Sequence, residues 1–184
     1  MKIAFGFDLH NTIVRSNVAW VQSLLLHSKK DVDKSYIESL VYKKVSRKKI
    51  AADIGADYDE VLNDYYMFIK PDNKIVTFIQ ELYNDFPLYL ISSSSKEKVM
   101  RDLKTWEGEQ YFSGVYTKET FCKGRKEDWE RFLDSSNIDL MIYLGNDAEE
   151  DVIDCKRVLS LIHGDFLRTL SGLGLLSKRG GTYD

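Results

Sequence analysis

The chain has 184 residues, of which 43% are hydrophobic and 30% are charged, and its formal net charge is −3, so it is expected to be an ordinary globular protein of one domain with room for a small appendage. The slight acidic excess gives no reason to expect nucleic-acid binding, no apolar run is long enough to cross a membrane, and Asp8 interrupts the first apolar run too early for a signal peptide. Two cysteines are too few for a disulfide framework and fit a reducing compartment, so we expect a cytoplasmic protein.

A short buried strand is predicted near the N-terminus, and it ends in a carboxylate. Residues 3–7 read Ile-Ala-Phe-Gly-Phe, Asp8 follows directly, and Thr12 comes four positions later. Burying a carboxylate is costly unless it has a use, and open α/β sheets bind ligands at the carboxyl ends of their strands. Asp8 is therefore a candidate functional residue, although an Asp that caps the following turn is an equal alternative at this point.

The pattern from residue 15 to residue 69 is helical throughout. Apolar residues recur at helical spacing in four segments, the last of which is Tyr58–Phe68. Gly55 and Pro71 are typical helix stops. We therefore expect an all-helical unit inserted after the first strand. The alternative is one helical layer on the sheet, which the length of the segment disfavours.

Four further strands are predicted in the rest of the chain, and polar residues follow two of them. Leu88–Ile91 leads into the serines at 92–95, and Leu140–Leu144 leads into Gly-Asn-Asp-Ala-Glu-Glu-Asp at 145–151. The remaining predictions are a strand at 114–116, helices at 75–82, 96–106, 127–133 and 149–158, an edge strand at 158–162, and a short tail helix that contains Phe166, Leu167, Leu170 and Leu173. Strands that alternate with helices imply a parallel sheet with right-handed crossovers.

Four motifs occur in a recognisable order. A strand ends at Asp8, a strand ends at Ser92, the basic segment 123–126 (Lys-Gly-Arg-Lys) precedes a helix, and a strand leads to the acidic pair Asp147 and Asp151. This order resembles the haloacid dehalogenase (HAD) superfamily of phosphatases and related hydrolases over residues 1–14 and about 70–157.

The resemblance implies a fold class and a division into domains. It implies an α/β fold in which residues 1–14 and 70–184 form a Rossmann-like core with a parallel sheet. Residues 15–69 would form a small all-helical cap domain that closes over the active site. We expect its hinges near residues 14–15 and 70–71, and we expect closure to exclude water.

The resemblance also assigns catalytic roles. Asp8 would be the nucleophile that forms an aspartyl-phosphate, and Ser92 and Lys126 would be catalytic with it. Lys123 is the second choice for the motif lysine and Lys118 the third. A solvated lysine and a simple helix-capping serine run are the ordinary alternatives. The remaining residues predicted to bind substrate are Thr12, Ser93 and Ser94.

A magnesium ion is the predicted cofactor. By resemblance its ligands would be Asp8, Asp147, Asp151 and the backbone carbonyl of His10. Asp147 and Asp151 lie four residues apart at the start of a predicted helix, so both carboxylates can point toward one spot, and Mg²⁺ takes oxygen ligands. The alternative is that these acids are there because the helix macrodipole favours them.

His10 departs from the family pattern, because HAD phosphatases usually carry an Asp two residues after the nucleophile. That Asp protonates the leaving group and then activates water, and a His is suited to the same work because its pKa lies near neutrality. We therefore expect a Mg²⁺-dependent, phosphatase-like hydrolase acting on a small phosphorylated metabolite. The alternatives are a dehalogenase- or phosphonatase-like hydrolase, and a degenerate HAD fold that binds a phosphorylated ligand or protein partner with little turnover.

Overall fold

The computed structural model of the chain describes residues 1–162, and the predicted tail helix lies outside the described residues. Five strands form one parallel sheet in the order β3-β2-β1-β4-β5. The strands are β1 (Ile3–Phe7), β2 (Leu88–Ile91), β3 (Gly114–Tyr116), β4 (Leu140–Gly145) and β5 (Val158–Ile162). The predicted α/β fold class is confirmed, and so is the edge strand at 158–162.

The central position of β1 determines where a site can form. β1 pairs with β2 on one side and with β4 on the other. The connection that leaves β1 runs toward β2, and the connection that leaves β4 runs the other way, toward β5. These opposite directions open a crevice at the carboxyl ends of β1 and β4. Asp8 follows the last residue of β1 and consequently lies at this crevice.

Alternation along the strands builds two separate hydrophobic layers. Phe5 and Phe7 of β1 belong to one cluster of buried residues, and Ala4 belongs to the other, because successive side chains of a strand point to opposite faces. On the first face Phe5 packs edge-on against Phe78, with ring centroids 6.1 Å apart. On the second face Trp129 is fully buried.

Seven α-helices and one 3₁₀ helix accompany the sheet within residues 1–162. They are α1 (Ser16–His27), α2 (Lys34–Tyr42), α3 (Arg47–Asp53), α4 (Tyr58–Phe68), α5 (Asn73–Leu82), α6 (Lys96–Lys104) and α7 (Lys126–Ser135), with the 3₁₀ helix at Gly108–Tyr111. Asp57 caps α4 by accepting hydrogen bonds from the backbone N–H groups of Asp59 and Glu60. None of the helices in this part of the chain is long and apolar enough to cross a membrane.

The segment between β1 and β2 begins with the four predicted helices, α1 to α4, which pack chiefly on one another. Trp20 of α1 stacks on Tyr65 of α4 with ring centroids 4.2 Å apart. The chain enters and leaves this helical insertion side by side, since the N–H of Arg15 donates to the carbonyl of Lys70 at 2.9 Å. The insertion shares a continuous hydrophobic cluster with one face of the sheet. That it is a separate cap domain with hinges at these two points stays a prediction.

The predicted helix at 149–158 is wrong. After a single turn at 148–150 the chain runs without helical hydrogen bonding to β5. Ser160 Oγ accepts from the N–H of Ile153, a donor that a helix would use, and the Asp151 carboxylate folds back to accept from the N–H groups of Asn146 and Asp147. Short polar side chains compete with helices in this way.

Gly6 should be intolerant of a side chain, because β1 and β4 approach closely on the second face. A Cβ atom on Gly6 would lie 2.8 Å from both Met141 Sδ and Tyr143 Cδ2. We expect Gly6→Val to lower the free energy of unfolding by about 1–3 kcal/mol, the usual cost of overpacking. Urea unfolding followed by circular dichroism measures this change. Gly124→Ala is the control, since nothing lies within 4 Å of a Cβ there, and equal losses in the two variants would contradict the prediction.

Candidate functional site

Asp8 is buried at the crevice with its backbone tied to the sheet. Its N–H donates to the carbonyl of Leu144 at 2.8 Å, which fixes the residue between β1 and β4. Its Oδ1 accepts a hydrogen bond from Lys123 Nζ at 2.5 Å, and its Oδ2 has one long contact, 3.5 Å, with Thr12 Oγ1. Burial raises the pKa of Asp8 above its ordinary value, and Lys123 opposes that shift. One carboxylate oxygen is thus firmly held and the other is almost unengaged.

Lys123, and not Lys126, is the lysine of the site. Its Nζ lies between Asp8 and Asp151, 2.5 and 2.8 Å from their nearest oxygens. Burial alone would lower the pKa of Lys123, but the two carboxylates raise it above its ordinary value. The predicted Lys126 is the first residue of α7 and lies on the surface, 3.8 Å from Glu130. The choice of Lys126 over Lys123 is therefore corrected.

The carbonyl of Lys123 accepts a hydrogen bond from Trp129 Nε1 at 2.8 Å. Because Trp129 is fully buried on α7, this bond sets the segment that precedes the helix and directs the Lys123 side chain inward. Lys126 follows three residues later, at the start of α7, and its side chain is exposed.

Asp151 is fully engaged by the protein. Its Oδ1 accepts from Lys123 and from the hydroxyl of Tyr143, and its Oδ2 accepts from the N–H groups of Asn146 and Asp147 at 3.0 Å. A Cβ atom on Gly145 would approach the Asp151 side chain to 2.3 Å, so this turn requires the glycine. The carboxylate therefore closes the turn after β4 and anchors Lys123.

Asp147 lies at the mouth of the crevice. Its Oδ1 accepts from the N–H groups of Glu149 and Glu150, and Lys44 of the insertion is 2.5 Å from its Oδ2. The bond from Lys44 and the backbone N–H groups lower the pKa of Asp147 below its ordinary value. The two predicted acidic ligands thus differ, because only Asp147 has an oxygen whose sole partner is an exposed lysine.

These contacts define how far the site fits Mg²⁺. Within residues 1–162, no three Asp, Glu, His or Cys side chains are grouped as a metal site requires. The oxygens that remain at the crevice are Asp8 Oδ2, Asp147 Oδ2 and the amide oxygen of Asn146, which has one 3.3 Å contact with Thr12 Oγ1. Oxygen donors of this type suit Mg²⁺. Asp8 and Asp147 therefore fit the predicted ligand set together with Asn146, which sequence reasoning missed, whereas Asp151 does not fit it.

The serine run follows β2 on the wall of the crevice. Ser92 is buried, and its N–H donates to the carbonyl of Tyr116 at 2.9 Å. Ser92, Ser93 and Ser94 all line one cavity with Asp8. Thr12 is different, since it is buried and directs its hydroxyl to Asp8 and Asn146. Thr12 therefore supports the side chains of the site from within the protein.

His10 is held by a buried carboxylate that sequence reasoning missed. Its Nε2 is 2.7 Å from Asp102 Oδ2 and 2.7 Å from Lys98 Nζ, and its Nδ1 is 3.3 Å from Ser94 Oγ. When protonated, Nε2 donates to Asp102; when unprotonated, it accepts from Lys98. Burial lowers the pKa of His10 below its ordinary value, and the bond to Asp102 opposes that shift.

Asp102 is fully buried on α6, and Tyr65 Oη of the insertion is 3.4 Å from its Oδ2. The sequence held a signal for it. Asp102 lies beside Leu103 on the apolar face of the predicted helix, where a carboxylate needs a partner.

The cavity at the crevice has a volume of about 710 Å³ and extends from the sheet to the helical insertion. Its floor is made by Asp8, Lys123 and the serine run, and the insertion contributes Trp20 and Arg47 among others. The predicted site residues Asp8, His10, Ser92, Ser93, Ser94, Asp147 and Asp151 all line it. A volume of this size accommodates a small metabolite.

Comparison with solved structures places this arrangement in a known fold. A HAD-superfamily hydrolase of subfamily IA from Geobacter sulfurreducens aligns with a TM-score of 0.61 at 14% identity, covering 92% of this chain and 96% of that chain. A haloacid dehalogenase-like hydrolase from Streptococcus pneumoniae aligns with a TM-score of 0.58 at 16% identity, covering 82% and 79%. A predicted phosphoglycolate phosphatase from Haemophilus somnus aligns with a TM-score of 0.56 at 13% identity, covering 87% and 85%.

The protein is an α/β protein with a five-stranded parallel sheet and a crevice at the end of its central strand. More particularly, it has the fold of the HAD superfamily, as the sequence motifs predict. No protein-family model and no curated protein sequence matches the chain. At sequence identities of 13–16%, the structural neighbours establish only the shared fold. The activity has to be argued from the site.

Replacing Lys123 should destabilise the protein far more than replacing Lys126. Lys123→Met leaves two buried carboxylates without their cation, and breaking a buried pair costs about 3–5 kcal/mol. Lys126→Met removes the same charge from the surface, and we expect a change within about 0.5 kcal/mol. Urea unfolding of both variants measures the difference.

The deficit of Lys123→Met should also depend on pH. A buried carboxyl with a raised pKa keeps its proton in the folded state above the pH at which the unfolded carboxyl loses it. The stability of the variant should therefore fall as the pH rises above the ordinary carboxyl pKa of about 4. A deficit that is equal for both lysines, or that grows as the pH falls, would contradict this assignment.

Proposed function

We propose that the protein is a phosphatase-like hydrolase that transfers the phosphoryl group of a small phosphorylated metabolite first to Asp8 and then to water. The observation that carries the proposal is the state of Asp8: Lys123 holds one oxygen at 2.5 Å, while the other has a single 3.5 Å contact. A carboxylate that is fixed in place with one oxygen available is suited to nucleophilic attack. The descriptions of the structural neighbours as hydrolases support the same class.

The first step forms a bond between Asp8 Oδ2 and phosphorus and breaks the ester bond, so the alcohol leaves with a proton from an acid. In the second step water loses a proton to a base and attacks the same phosphorus, which releases inorganic phosphate and restores the Asp8 carboxylate. Lys123 balances the negative charge of Asp8 and of the phosphate in both steps. Ser92 and its neighbours line the same cavity and offer hydroxyl donors to the phosphate oxygens.

His10 would act as the acid and then as the base. Asp102 holds the Nε2 side of the ring, which leaves Nδ1, near Ser94, as the nitrogen on the cavity side. Because burial lowers the pKa of His10, the neutral imidazole prevails at neutral pH and is ready to accept a proton from water. Donation to the leaving alcohol requires imidazolium, which Asp102 and the phosphate dianion favour. Proton donation should therefore limit the rate with poor leaving groups.

Mg²⁺ would be held by Asn146 and Asp147 beside Asp8, and when bound it would neutralise part of the phosphate charge. Coordination by Asp8 itself stays a prediction, since its free oxygen, Oδ2, is the one proposed to attack phosphorus. Lys44 has to leave Asp147 Oδ2 for that oxygen to become a ligand. The backbone carbonyl of His10 stays a predicted Mg²⁺ ligand, and the imidazole is not part of the ligand set. Asp151 would not bind the ion. It would hold the Lys123 ammonium and the turn after β4 in position.

A second candidate function is binding of a phosphorylated ligand with little turnover. It is favoured by the same Lys44 ammonium on Asp147 and by the complete engagement of Asp151, which together leave no group of three acidic side chains within the described residues. Release of phosphate separates the two candidates.

Asp8→Asn should lower phosphate release to the background rate, because the amide keeps the shape of the side chain and loses the nucleophile. The measurement is inorganic phosphate released from a panel of small phosphate esters, with Mg²⁺ and with a chelator. Asp139→Asn is the control, since this exposed residue precedes β4 at the opposite end of the sheet. Undiminished release by Asp8→Asn would exclude Asp8 as nucleophile, and a parent protein that releases no phosphate would favour the binding function.

His10→Ala should affect alkyl phosphates more than aryl phosphates, because aryl leaving groups need less protonation. A positioned acid or base contributes about 10²–10⁴-fold, so we expect a loss in kcat of that order on alkyl phosphates. His10→Asp should keep or raise activity. Steady-state kinetics on a matched alkyl and aryl pair measures the effect. Full activity of His10→Ala on the alkyl ester would show that His10 has no catalytic role.

A further inference from the structure

We infer that the substrate carries a second anionic group, a carboxylate or a second phosphate, and that Arg47 binds it. The inference rests on the proposed function, since Asp8 marks where the reacting phosphoryl group lies. It adds the chemical class of the rest of the substrate, which a phosphate site alone does not specify.

The balance of charge around the cavity points to Arg47. Four other cationic side chains line the cavity, and each has a carboxylate partner. These pairs are Lys123 with Asp8 and Asp151, Lys44 with Asp147 and Glu150, Lys98 with Asp102, and Arg15 with Asp72. Arg47, which also lines the cavity, has no carboxylate within 4.0 Å anywhere in residues 1–162. Its charge is therefore available to a ligand.

The Arg47 side chain is held in place by neutral groups. Its Nη1 donates to the carbonyl of Val45 at 2.7 Å, and its Nη2 donates to the carbonyl of Val41 at 3.1 Å and to Asn17 Oδ1 at 3.4 Å. These bonds fix the guanidinium at the start of α3 without neutralising it. Nε makes no hydrogen bond to any other described residue, so a donor remains for an oxyanion. A pre-positioned guanidinium with a free N–H is suited to a charge-assisted hydrogen bond with an oxyanion.

Partial burial makes an anionic ligand favourable at this position. Burial lowers the pKa of Arg47, which indicates a charge that has lost part of its hydration, although a guanidinium stays protonated. Arg47 also lowers the pKa of Lys98, so the two cations lie close enough to repel each other. A partly desolvated cation beside a second cation gains free energy when an anion joins it.

The cavity therefore has two cationic positions with different tasks. Lys123 lies on the floor with the nucleophile, and Arg47 lies on the helical insertion. A phosphate monoester whose organic part ends in a carboxylate or a phosphate matches both, whereas an ester of an uncharged alcohol leaves Arg47 without a partner. The substrate class is thus a phosphorylated hydroxy acid or a bisphosphate.

The test compares esters that differ only in the second group. We would measure kcat/KM for butyl phosphate, the phosphate ester of 4-hydroxybutanoate, and 1,4-butanediol bisphosphate, together with shorter and longer homologues. The parent protein should prefer the charged esters of the length that fits. Arg47→Gln keeps an amide donor for the carbonyls and removes the charge, so it should reduce this preference by about 10- to 100-fold, the usual worth of a hydrogen bond to a charged group.

Lys49→Gln is the matched control, because Lys49 lies on the same helix, carries the same charge and pairs with Asp53 away from the cavity. It should keep the preference of the parent. Arg47→Lys keeps the charge but loses the guanidinium that these bonds hold in place, so it should retain part of the preference. Circular dichroism shows whether each variant is folded. A parent without preference at any length, or a folded Arg47→Gln that keeps it, would overturn the inference.

Failure of the proposed function is distinguishable from failure of the inference. If no ester releases phosphate, titration calorimetry of the same esters with the parent and with Arg47→Gln still tests the second anion. Tighter binding of the charged esters that is lost in Arg47→Gln would support the inference for a binding protein. Equal affinity for charged and uncharged esters would overturn it. A comparison of the phosphate ester of 4-hydroxybutanoate with 1,4-butanediol bisphosphate shows whether Arg47 prefers a carboxylate or a phosphate as the second anion.

Discussion

One buried cation holds the centre of this protein together. Lys123 Nζ lies 2.5 Å from Asp8 and 2.8 Å from Asp151, and all three side chains are buried. Two carboxylates this close to each other repel, and burial alone would lower the pKa of the lysine. Together they stabilise one another, and the three residues come from the end of β1, the segment before α7 and the turn after β4. The interaction thus fixes three separate parts of the chain around the crevice.

The hydrophobic layer on the second face of the sheet determines the geometry of that cluster. Trp129 fills this layer and donates to the carbonyl of Lys123, and Tyr143 of β4 donates to Asp151. The absence of a side chain at Gly145 lets the Asp151 carboxylate reach back to the turn. The packing of these aromatic residues therefore determines the position of the charges. A substitution that alters the packing should also displace Lys123 or Asp151.

The helical insertion contributes a second set of interactions at the other side of the cavity. Tyr65 reaches Asp102, which in turn holds His10, so the insertion contacts the proposed acid–base residue through one buried carboxylate. Lys44 and Arg47 add two cations of different character: Lys44 is paired with acidic residues at the crevice, and Arg47 is bonded to neutral groups only. In the proposed function, the floor of the cavity carries out the chemistry on the phosphate and the insertion selects the substrate.

The sequence by itself determined the strands, the helices of the insertion and the place of Asp8, because apolar periodicity, helix caps and stops are properties of neighbouring residues. The tertiary structure alone decided which side chains meet. Lys123 and Lys126 are three residues apart in one basic segment. The first turns inward, where Trp129 bonds to its carbonyl and two carboxylates hold its ammonium, and the second stays exposed. The predicted helix at 149–158 failed for a related reason, since the Asp151 carboxylate folds back onto the turn before it and Ser160 of β5 takes the N–H of Ile153. Asp102 meets His10 and Tyr65, which are distant along the chain, and a local pattern carries no information about such partners.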